Sequence, residues 1–226
     1  NIATNVAIRE KKTVGLFSLE MSKESLVQRV ICSEAEIDAN KLKTGNLGDN
    51  EWKKLMRSLG KLDEANIYID DTPGINAMEL RAKARRMKAE KGLDLLIVDY
   101  LQLMQGTKLR VENRTQEISE IARLLKSIAR ELHVPLIALS QLSRAIEQRM
   151  DKLPKLSDLR ESGEIEQTAD IVIFLHREDF YSAQATPTSL TDVMVAKHRN
   201  GPVGKTQLIF QKEFTKFRTK ENQIDT

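Results

Sequence analysis

The sequence predicts an α/β fold in which helices flank a mostly parallel sheet and antiparallel strands lie toward the C-terminal end. Short apolar runs recur along the chain, and segments with helical periodicity separate them. This alternation is typical of parallel sheets that are covered on both faces. Two later strands flank the turn Asn200-Gly201-Pro202, which predicts the antiparallel part.

Each predicted element follows from a periodic pattern or a capping residue. Ser22 is a natural N-cap for the second helix, and Asn113 with Gln116 resembles a capping box at the start of the clearest helix. In that helix the apolar residues recur at i, i+3, i+4 and i+7. In chain order we predict strands at 13–19, 67–69, 95–98, 136–140, 171–175, 191–197, 206–211 and 214–217, with helices at the start of the chain, at 23–34, around 52–59, at 76–91 and up to Leu132.

Three of the predicted strands stop at a polar residue, namely Glu20, Asp99 and Gln141. Ligands of open α/β sheets bind at the carboxyl ends of parallel strands, so we expect these side chains to converge on one site. A carboxylate that polarises water, a carboxylate near a metal ion and an amide that senses a phosphate would make a nucleoside triphosphatase site. Taken alone, each residue also has a structural explanation, as a helix-stabilising carboxylate, a strand-end cap or an amide that bonds a loop. The coincidence of all three favours the site.

Two basic features would also suit phosphate groups. Lys197 and Arg199 end a strand just before a glycine turn, and such a pair could reach a phosphate in its own chain or in a neighbour's site. Taken alone, the pair is more simply a basic hairpin on the surface. Arg160 and the backbone N–H groups near Gly163 could hold a phosphodiester backbone, but a solvated polar loop explains the same residues equally well.

The segment Gly201–Thr206 ends in Gly-Lys-Thr, as a phosphate-binding loop does. A Walker A motif requires a further glycine five residues before Gly204, and this chain has Arg199 there. The motif also requires a following helix, whereas the pattern after Thr206 predicts a strand. We therefore reject this segment as a phosphate loop.

Composition argues against a membrane-spanning protein, a disulfide-stabilised protein and a histidine-based metal site. Charged residues make up 31% of the 226 residues and aromatic residues 4%, which is typical of a soluble, helix-rich protein. No apolar run approaches the length of a membrane span. Cys32 is the only cysteine, so no internal disulfide is expected and a reducing cytoplasm is indicated. The three histidines lack metal-ligand spacing, and the net charge of +3 permits nucleic-acid binding without requiring it.

Five segments together closely resemble the DnaB-type bacterial replicative helicases, in their carboxyl-terminal RecA-like motor domain. In order they are Phe17–Met21, Ile97–Leu103, Leu139–Arg144, Asp158–Gly163 and Lys197–Pro202. The resemblance implies a RecA-like P-loop NTPase core in a homo-hexameric ring. It also implies a cytoplasmic enzyme that hydrolyses ATP with Mg²⁺, translocates on single-stranded DNA and unwinds duplex. Primase and a helicase loader are the implied protein partners, and no membrane is involved.

The resemblance implies roles for the residues at the strand ends. Glu20 resembles the catalytic glutamate that activates water, and Asp99 the carboxylate that holds Mg²⁺ through water. Gln141 resembles the residue that couples the γ-phosphate to the DNA-binding loops. Arg29, nine residues past Glu20, matches a family arginine near the nucleotide.

The same resemblance assigns the basic features to other surfaces. Lys197 and Arg199 resemble the pair that enters the adjacent subunit's nucleotide site. Arg160, Glu161 and Gly163 fall in the loop that lines the central channel and grips the DNA backbone.

The chain departs from the family pattern in two respects. His198 stands where glutamine is common, and the Walker A loop that should lie just before Asn1 is missing. We therefore expect residues 1–226 to form a single RecA-like ATPase domain without its first strand and phosphate loop, which makes this segment alone a poor nucleotide binder. Two alternatives stay open: another RecA-like recombination ATPase, and a non-catalytic DNA-binding or assembly module.

Overall fold

The computed structural model of the chain describes residues 1–106, 113–181 and 188–220, without the side chains of residues 160–162, 180 and 181. Within these ranges the strands form two four-stranded sheets. The first sheet is parallel throughout, in the order β2-β1-β3-β4. Its strands are β1 (Val14–Ser18), β2 (Ile67–Asp70), β3 (Leu95–Asp99) and β4 (Leu136–Ala138).

The second sheet is antiparallel, in the order β5-β6-β7-β8. Its strands are β5 (Ile171–His176), β6 (Thr188–His198), β7 (Gly204–Gln211) and β8 (Lys216–Thr219). The predicted combination of a parallel sheet with antiparallel strands at the C-terminal end is confirmed. The antiparallel part is larger than the hairpin pattern alone indicated, because β5 also belongs to it.

The helices begin and end close to the predicted positions. Ser22 accepts a hydrogen bond from Ser25 N at 3.3 Å, and Asn113 accepts one from Thr115 N at 2.9 Å, so both residues are N-caps as predicted. The capping box predicted from Asn113 and Gln116 is not among the contacts of the described residues at this helix start. The helices are α1 (Ile2–Ile8), α2 (Lys23–Ala35), α3 (Ala39–Thr44), α4 (Asp49–Asp63), α5 (Ala77–Lys91), α6 (Arg114–Leu132) and α7 (Gly163–Thr168). Four 3₁₀ helices complete the described chain, at Leu101–Leu103, Arg144–Gln148, Leu156–Ser162 and Glu178–Tyr181.

The main core lies between one face of the parallel sheet and helices α5 and α6. Phe17, Leu96 and Val98 of the strands are fully buried there. The predicted apolar face of α6 is confirmed, because Ile118, Ile121, Ala122, Leu125, Ile128 and Leu132 are all buried. At Gly15 a Cβ atom would lie 2.7 Å from Met87 Sδ and 3.1 Å from Leu93 Cδ1, so a larger residue there would require these side chains to shift.

One expectation about burial is wrong. The predicted buried strand at 136–140 is shorter, Leu136–Ala138, and only partly buried, and Ala138 is exposed. In α4, where the pattern indicated one apolar face, Leu55 is buried, whereas Trp52 and Met56 are exposed. A local pattern of apolar residues does not reveal what covers them.

A cleft of about 2400 Å³ separates the two sheets. Within the described ranges β4 pairs only with β3, and β5 pairs only with β6, so each presents an unpaired edge beside the cleft. On β5 the exposed residues alternate with buried ones, and Ile171, Ile173 and Leu175 line the cleft. The edge strands β4 and β5 thus lie on opposite sides of an open, largely apolar cleft.

Candidate active site

The carboxyl ends of three adjacent parallel strands lie together along one border of the first sheet. This border, formed by strand ends, differs from the unpaired edge of β4 that flanks the cleft. Ser18 of β1 lies in register with Asp99 of β3, and Leu19 N donates to Asp99 O at 2.7 Å. On the other side of β3, Leu139 N donates to Val98 O at 2.9 Å. Glu20, Asp99 and Gln141 therefore leave neighbouring strands at the same edge, where ligands of parallel sheets bind.

Glu20 lies at the tip of a tight turn between β1 and α2. The buried Ser18 hydroxyl donates to Met21 O at 2.7 Å and accepts from Met21 N at 3.3 Å. Lys23 N, at the first turn of α2, donates to Asp71 Oδ2 at 2.9 Å. The turn is thus held at both ends while Glu20 stays exposed.

The pKa of Asp99 depends on its burial and on the charges of Glu20 and Arg29. Burial is the largest effect and raises the pKa of Asp99, the negative charge of Glu20 raises it further, and the Arg29 guanidinium opposes both. Two carboxylates with partial compensation from one arginine make a site that a divalent cation would stabilise.

The residues present fit a Mg²⁺ ion that is held mainly by groups from outside the protein. Among the described residues, no group of three or more His, Cys, Asp or Glu side chains could hold a metal ion. Mg²⁺ commonly takes one or two carboxylates together with phosphate oxygens and water, and Asp99 could supply one carboxylate.

A residue outside the predicted set fixes the backbone of Gln141. Gln102 Nε2 donates to Ser140 Oγ at 2.9 Å and to Gln141 O at 3.3 Å, and Gln141 N donates to Gln102 Oε1 at 3.4 Å. The Gln141 side chain is exposed. Sequence analysis missed Gln102, although a lone polar residue in the apolar exit Tyr100–Leu103 was a signal that could have found it.

Lys197 and Arg199 lie on the other sheet, at the end of β6 and just beyond it. Lys197 Nζ donates to Glu166 O at 2.5 Å, and Arg199 Nη2 donates to Gln167 O at 3.3 Å. None of the contacts that the described residues make joins this pair to Glu20, Asp99 or Gln141. The structure brings Glu20, Asp99 and Gln141 to the same end of the parallel sheet, with Arg29 close enough to act on Asp99, and leaves the cationic pair on the other sheet.

The predicted DNA-contacting residues lie around the junction of a 3₁₀ helix and α7. The side chains of Arg160 and Glu161 lie outside the part of the chain that the structure describes. Gly163 begins α7, and a side chain added there would meet no atom within 4 Å. The segment is anchored by the buried Asp158, which accepts from Lys155 N at 2.7 Å and from Arg149 Nη2 at 2.8 Å.

The rejected Gly-Lys-Thr segment is part of a β-hairpin. Gly204 begins β7, and Thr206 lies opposite Val193 of β6. A strand therefore follows this segment, as the sequence predicted, and no phosphate loop is present there.

The family model of the DnaB-like helicase C terminal domain matches residues 1–219. The chain belongs to this family. The replicative DNA helicase DnaC of Bacillus subtilis is 54% identical over 225 residues, and the replicative DNA helicase DnaB of Geobacillus stearothermophilus is 53% identical over 225 residues. Each alignment covers 100% of this chain and 50% of the relative. The chain thus spans about half the length of these curated relatives.

Solved structures of related proteins have the same fold. One of them, an ATPase domain, superposes with a TM-score of 0.90 at 42% identity, covering 97% of this chain and 78% of that one. A DnaB-like replicative helicase, described with its interactions with primase, gives a TM-score of 0.89 at 42% identity and covers 95% of this chain and 52% of that one. A KaiC-like protein from Pyrococcus horikoshii, at 16% identity and a TM-score of 0.55, is similar in fold alone. The predicted RecA-like fold is confirmed.

Throughout the described helices, none combines the length and apolarity that crossing a bilayer requires.

Proposed function

We propose that this chain is the motor domain of a replicative DNA helicase that hydrolyses ATP to translocate on single-stranded DNA and unwind duplex. The observation that carries this proposal is the meeting of Glu20, Asp99 and Gln141 at one edge of the sheet in a member of the DnaB-like family. The relatives that match along the whole chain are named replicative DNA helicases, which supports the proposed activity.

Each side chain at the edge has a distinct part in the proposed hydrolysis. Glu20 orients the attacking water and accepts its proton. Asp99 would hold a Mg²⁺ ion, which would supply neutralisation of charge on the phosphate oxygens. Gln141 donates its amide hydrogens toward the γ-phosphate, and Gln102 keeps its backbone in place. Arg29, which interacts electrostatically with Asp99, lies near enough to the carboxylates to assist a phosphate.

The cationic pair acts on a neighbouring protomer in a homo-hexameric ring. Lys197 and Arg199 lie at the end of the antiparallel strand β6 rather than at the carboxyl ends of the parallel strands, and Arg199 is exposed. An arginine supplied from a neighbour can stabilise the charge of the transition state and contribute roughly 10³ to 10⁵ in rate. The separation of the pair from Glu20 and Asp99 within one chain supports a site that two protomers complete.

The cleft between β4 and β5 is where a further strand with a Walker A loop would complete the single ATPase domain. Both flanking strands have an unpaired edge there, and the exposed Ile171 and Ile173 offer apolar contacts. The chain covers 78% of the similar ATPase domain of known structure, which supports a complete domain that is larger than residues 1–226. Residues 1–226 alone would bind ATP weakly, because the lysine and N–H groups of a phosphate loop supply much of the affinity.

The proposed partners follow from the same assignment. Single-stranded DNA would contact the segment with Arg160, Glu161 and Gly163. Primase is a proposed partner because one similar structure is described with it, and a helicase loader and a cytoplasmic location remain predictions from the sequence.

The experiment is unwinding of a forked duplex, with release of phosphate from ATP, by the protein expressed from its complete gene. Glu20→Gln should lower turnover by roughly 10² to 10⁴ while ATP binding is retained, because only the proton acceptor is lost. Glu24→Gln, an exposed carboxylate in the first turn of α2, is the matched control and should hydrolyse ATP normally. Strand exchange without unwinding would favour a recombination ATPase, and absence of ATP binding a non-catalytic module; either result contradicts the proposal.

A further inference from the structure

Asp170 lies between α7 and β5. Its carboxylate contacts helix α6 and the residue that follows strand β6. Its Oδ2 accepts a hydrogen bond from Lys126 of α6, and its Oδ1 lies 3.3 Å from Arg199 Nη1. The backbone makes a further link, since Arg199 N donates to Asp170 O at 2.8 Å. Asp170 therefore contacts both the side chain and the backbone of Arg199.

The last turn of α7 holds the other side of the cationic pair. Lys197 Nζ donates to Glu166 O at 2.5 Å and to Gln167 O at 3.3 Å, and Arg199 Nη2 donates to the same Gln167 carbonyl at 3.3 Å. The last carbonyls of a helix have no partner within the helix, and cations are favourable at that end. The end of α7 thus accepts hydrogen bonds from two cations that lie two residues apart in the chain, Lys197 near the end of β6 and Arg199 just beyond it.

We propose that Asp170 is a positioning residue for Lys197 and Arg199, which fixes the direction in which the pair is presented to a neighbouring protomer. The inference rests on the proposed function and adds to it a residue that touches neither ATP nor the reacting atoms. Long cationic side chains are mobile on their own, and a catalytic cation is effective only when its geometry is held in advance.

Charge and exposure support a positioning role over a stabilising one. The hydrogen bond from Lys126, with the charges of Lys126, Arg199 and Lys197, holds the pKa of Asp170 below its usual range, so the carboxylate stays ionised at neutral pH. About half of each side chain is exposed, 51% for Asp170 and 52% for Arg199. Ion pairs at this exposure contribute little to folding, so loss of the carboxylate should change catalysis far more than stability.

Steady-state kinetics of the complete gene product test the role. Asp170→Asn should lower kcat at least about tenfold while KM for ATP stays within about twofold, since binding does not use the pair. Asp170→Glu, which keeps the charge, should recover most of the loss. Glu90→Gln is the matched control, because Glu90 is also 51% exposed and pairs with Arg86 at 2.7 Å.

Two kinetic results would overturn the inference. In one, Asp170→Asn behaves like Glu90→Gln. In the other, kcat and the midpoint of thermal unfolding fall together and Asp170→Glu restores neither, which is the mark of a structural residue.

A second measurement separates this inference from the proposed function. Nuclear magnetic resonance of the Nε–Hε group of Arg199 in the complete gene product, assigned with Arg199→Lys, reports whether the side chain is held. We expect restricted motion that Asp170→Asn releases. If Arg199 is as mobile as Arg86 before any substitution, the positioning role is wrong. Absence of ATP hydrolysis by the unsubstituted complete protein would instead refute the proposed function.

Discussion

Asp99 is a carboxylate kept where burial and a like charge both oppose its ionisation. A half-buried aspartate beside Glu20 destabilises the folded chain at neutral pH, because its charged form is better solvated when the chain is unfolded. Such a residue persists when the charge is needed for function, and a Mg²⁺ ion with its phosphate ligands would remove the cost.

Asp99→Asn should therefore stabilise the protein at neutral pH. The folded-state pKa is raised above the unfolded value, so the contribution of Asp99 to stability is complete in acid and is lost as the pH rises through the folded pKa. We expect the midpoint of thermal unfolding to rise by roughly 1 to 3 °C at neutral pH. In acid, where Asp99 is protonated in both states, the difference should vanish.

Calorimetry at the two pH values, with Asp94→Asn as control, measures this effect. Asp94 lies just before β3 and accepts from Thr13 N at 2.8 Å, so its substitution should lower the midpoint at neutral pH. A lower midpoint for Asp99→Asn as well would show that the carboxylate is structural.

Among the elements, the start of α2 is what fixes the turn that carries Glu20. The first N–H groups of a helix have no partner within it, and one of them, at Lys23, is satisfied by Asp71 from the loop after β2. The loop after a neighbouring strand thus helps to determine where the turn that carries Glu20 lies.

Asp71→Ala should cost about 1 kcal/mol of stability, as loss of a helix-capping side chain typically does, and should also lower ATP turnover. Asp38→Ala removes a comparable contact, because Asp38 accepts from Asn40 N at 2.8 Å and from Lys41 N at 3.0 Å at the start of α3. Urea unfolding should show similar losses for both variants, and phosphate release should fall for Asp71→Ala alone. Equal turnover in the two variants would contradict the link between Asp71 and Glu20.

The helices and strands also show which parts of the fold could be predicted from the sequence. The strands that end at Ser18 and Asp99 could be predicted from their short apolar runs, and helix α6 and its buried face from strong periodicity and an N-cap. The short helix α3 was not predicted, since six residues give too little periodicity. Strand β4 was expected to be buried, and its exposure depends on the cleft beside it, which no local pattern encodes.

The candidate site likewise contains residues that could be predicted from the sequence and contacts that could not. Glu20, Asp99 and Gln141 could be found because each follows an apolar strand. The contacts of Gln102 and Asp71 could not, because they join segments whose proximity is set by strand order. The contacts of Asp170 with Lys126 and Arg199 could not be predicted either, because they depend on how α6 and the end of β6 meet at the start of β5.

At the scale of the whole molecule, the proposed catalytic groups lie on two sheets separated by a cleft. Glu20 and Asp99 belong to the edge of the parallel sheet, while Lys197 and Arg199 belong to the antiparallel sheet and contact the end of α7. A chain arranged in this way offers one half of a site at each of two surfaces. A head-to-tail ring would join the halves at every interface.

Mixing two inactive variants of the complete gene product tests this central claim most directly. Glu20→Gln removes the water-activating group from one half-site, and Arg199→Ala removes a cation from the other, so each variant alone should bind ATP and hydrolyse almost none. In rings assembled from an equal mixture, roughly one interface in four would pair an intact Glu20 with an intact Arg199 if assembly is random. We predict that phosphate release returns to a corresponding fraction of the unsubstituted rate. Mixed rings that stay as inactive as the separate variants would contradict a site shared between protomers.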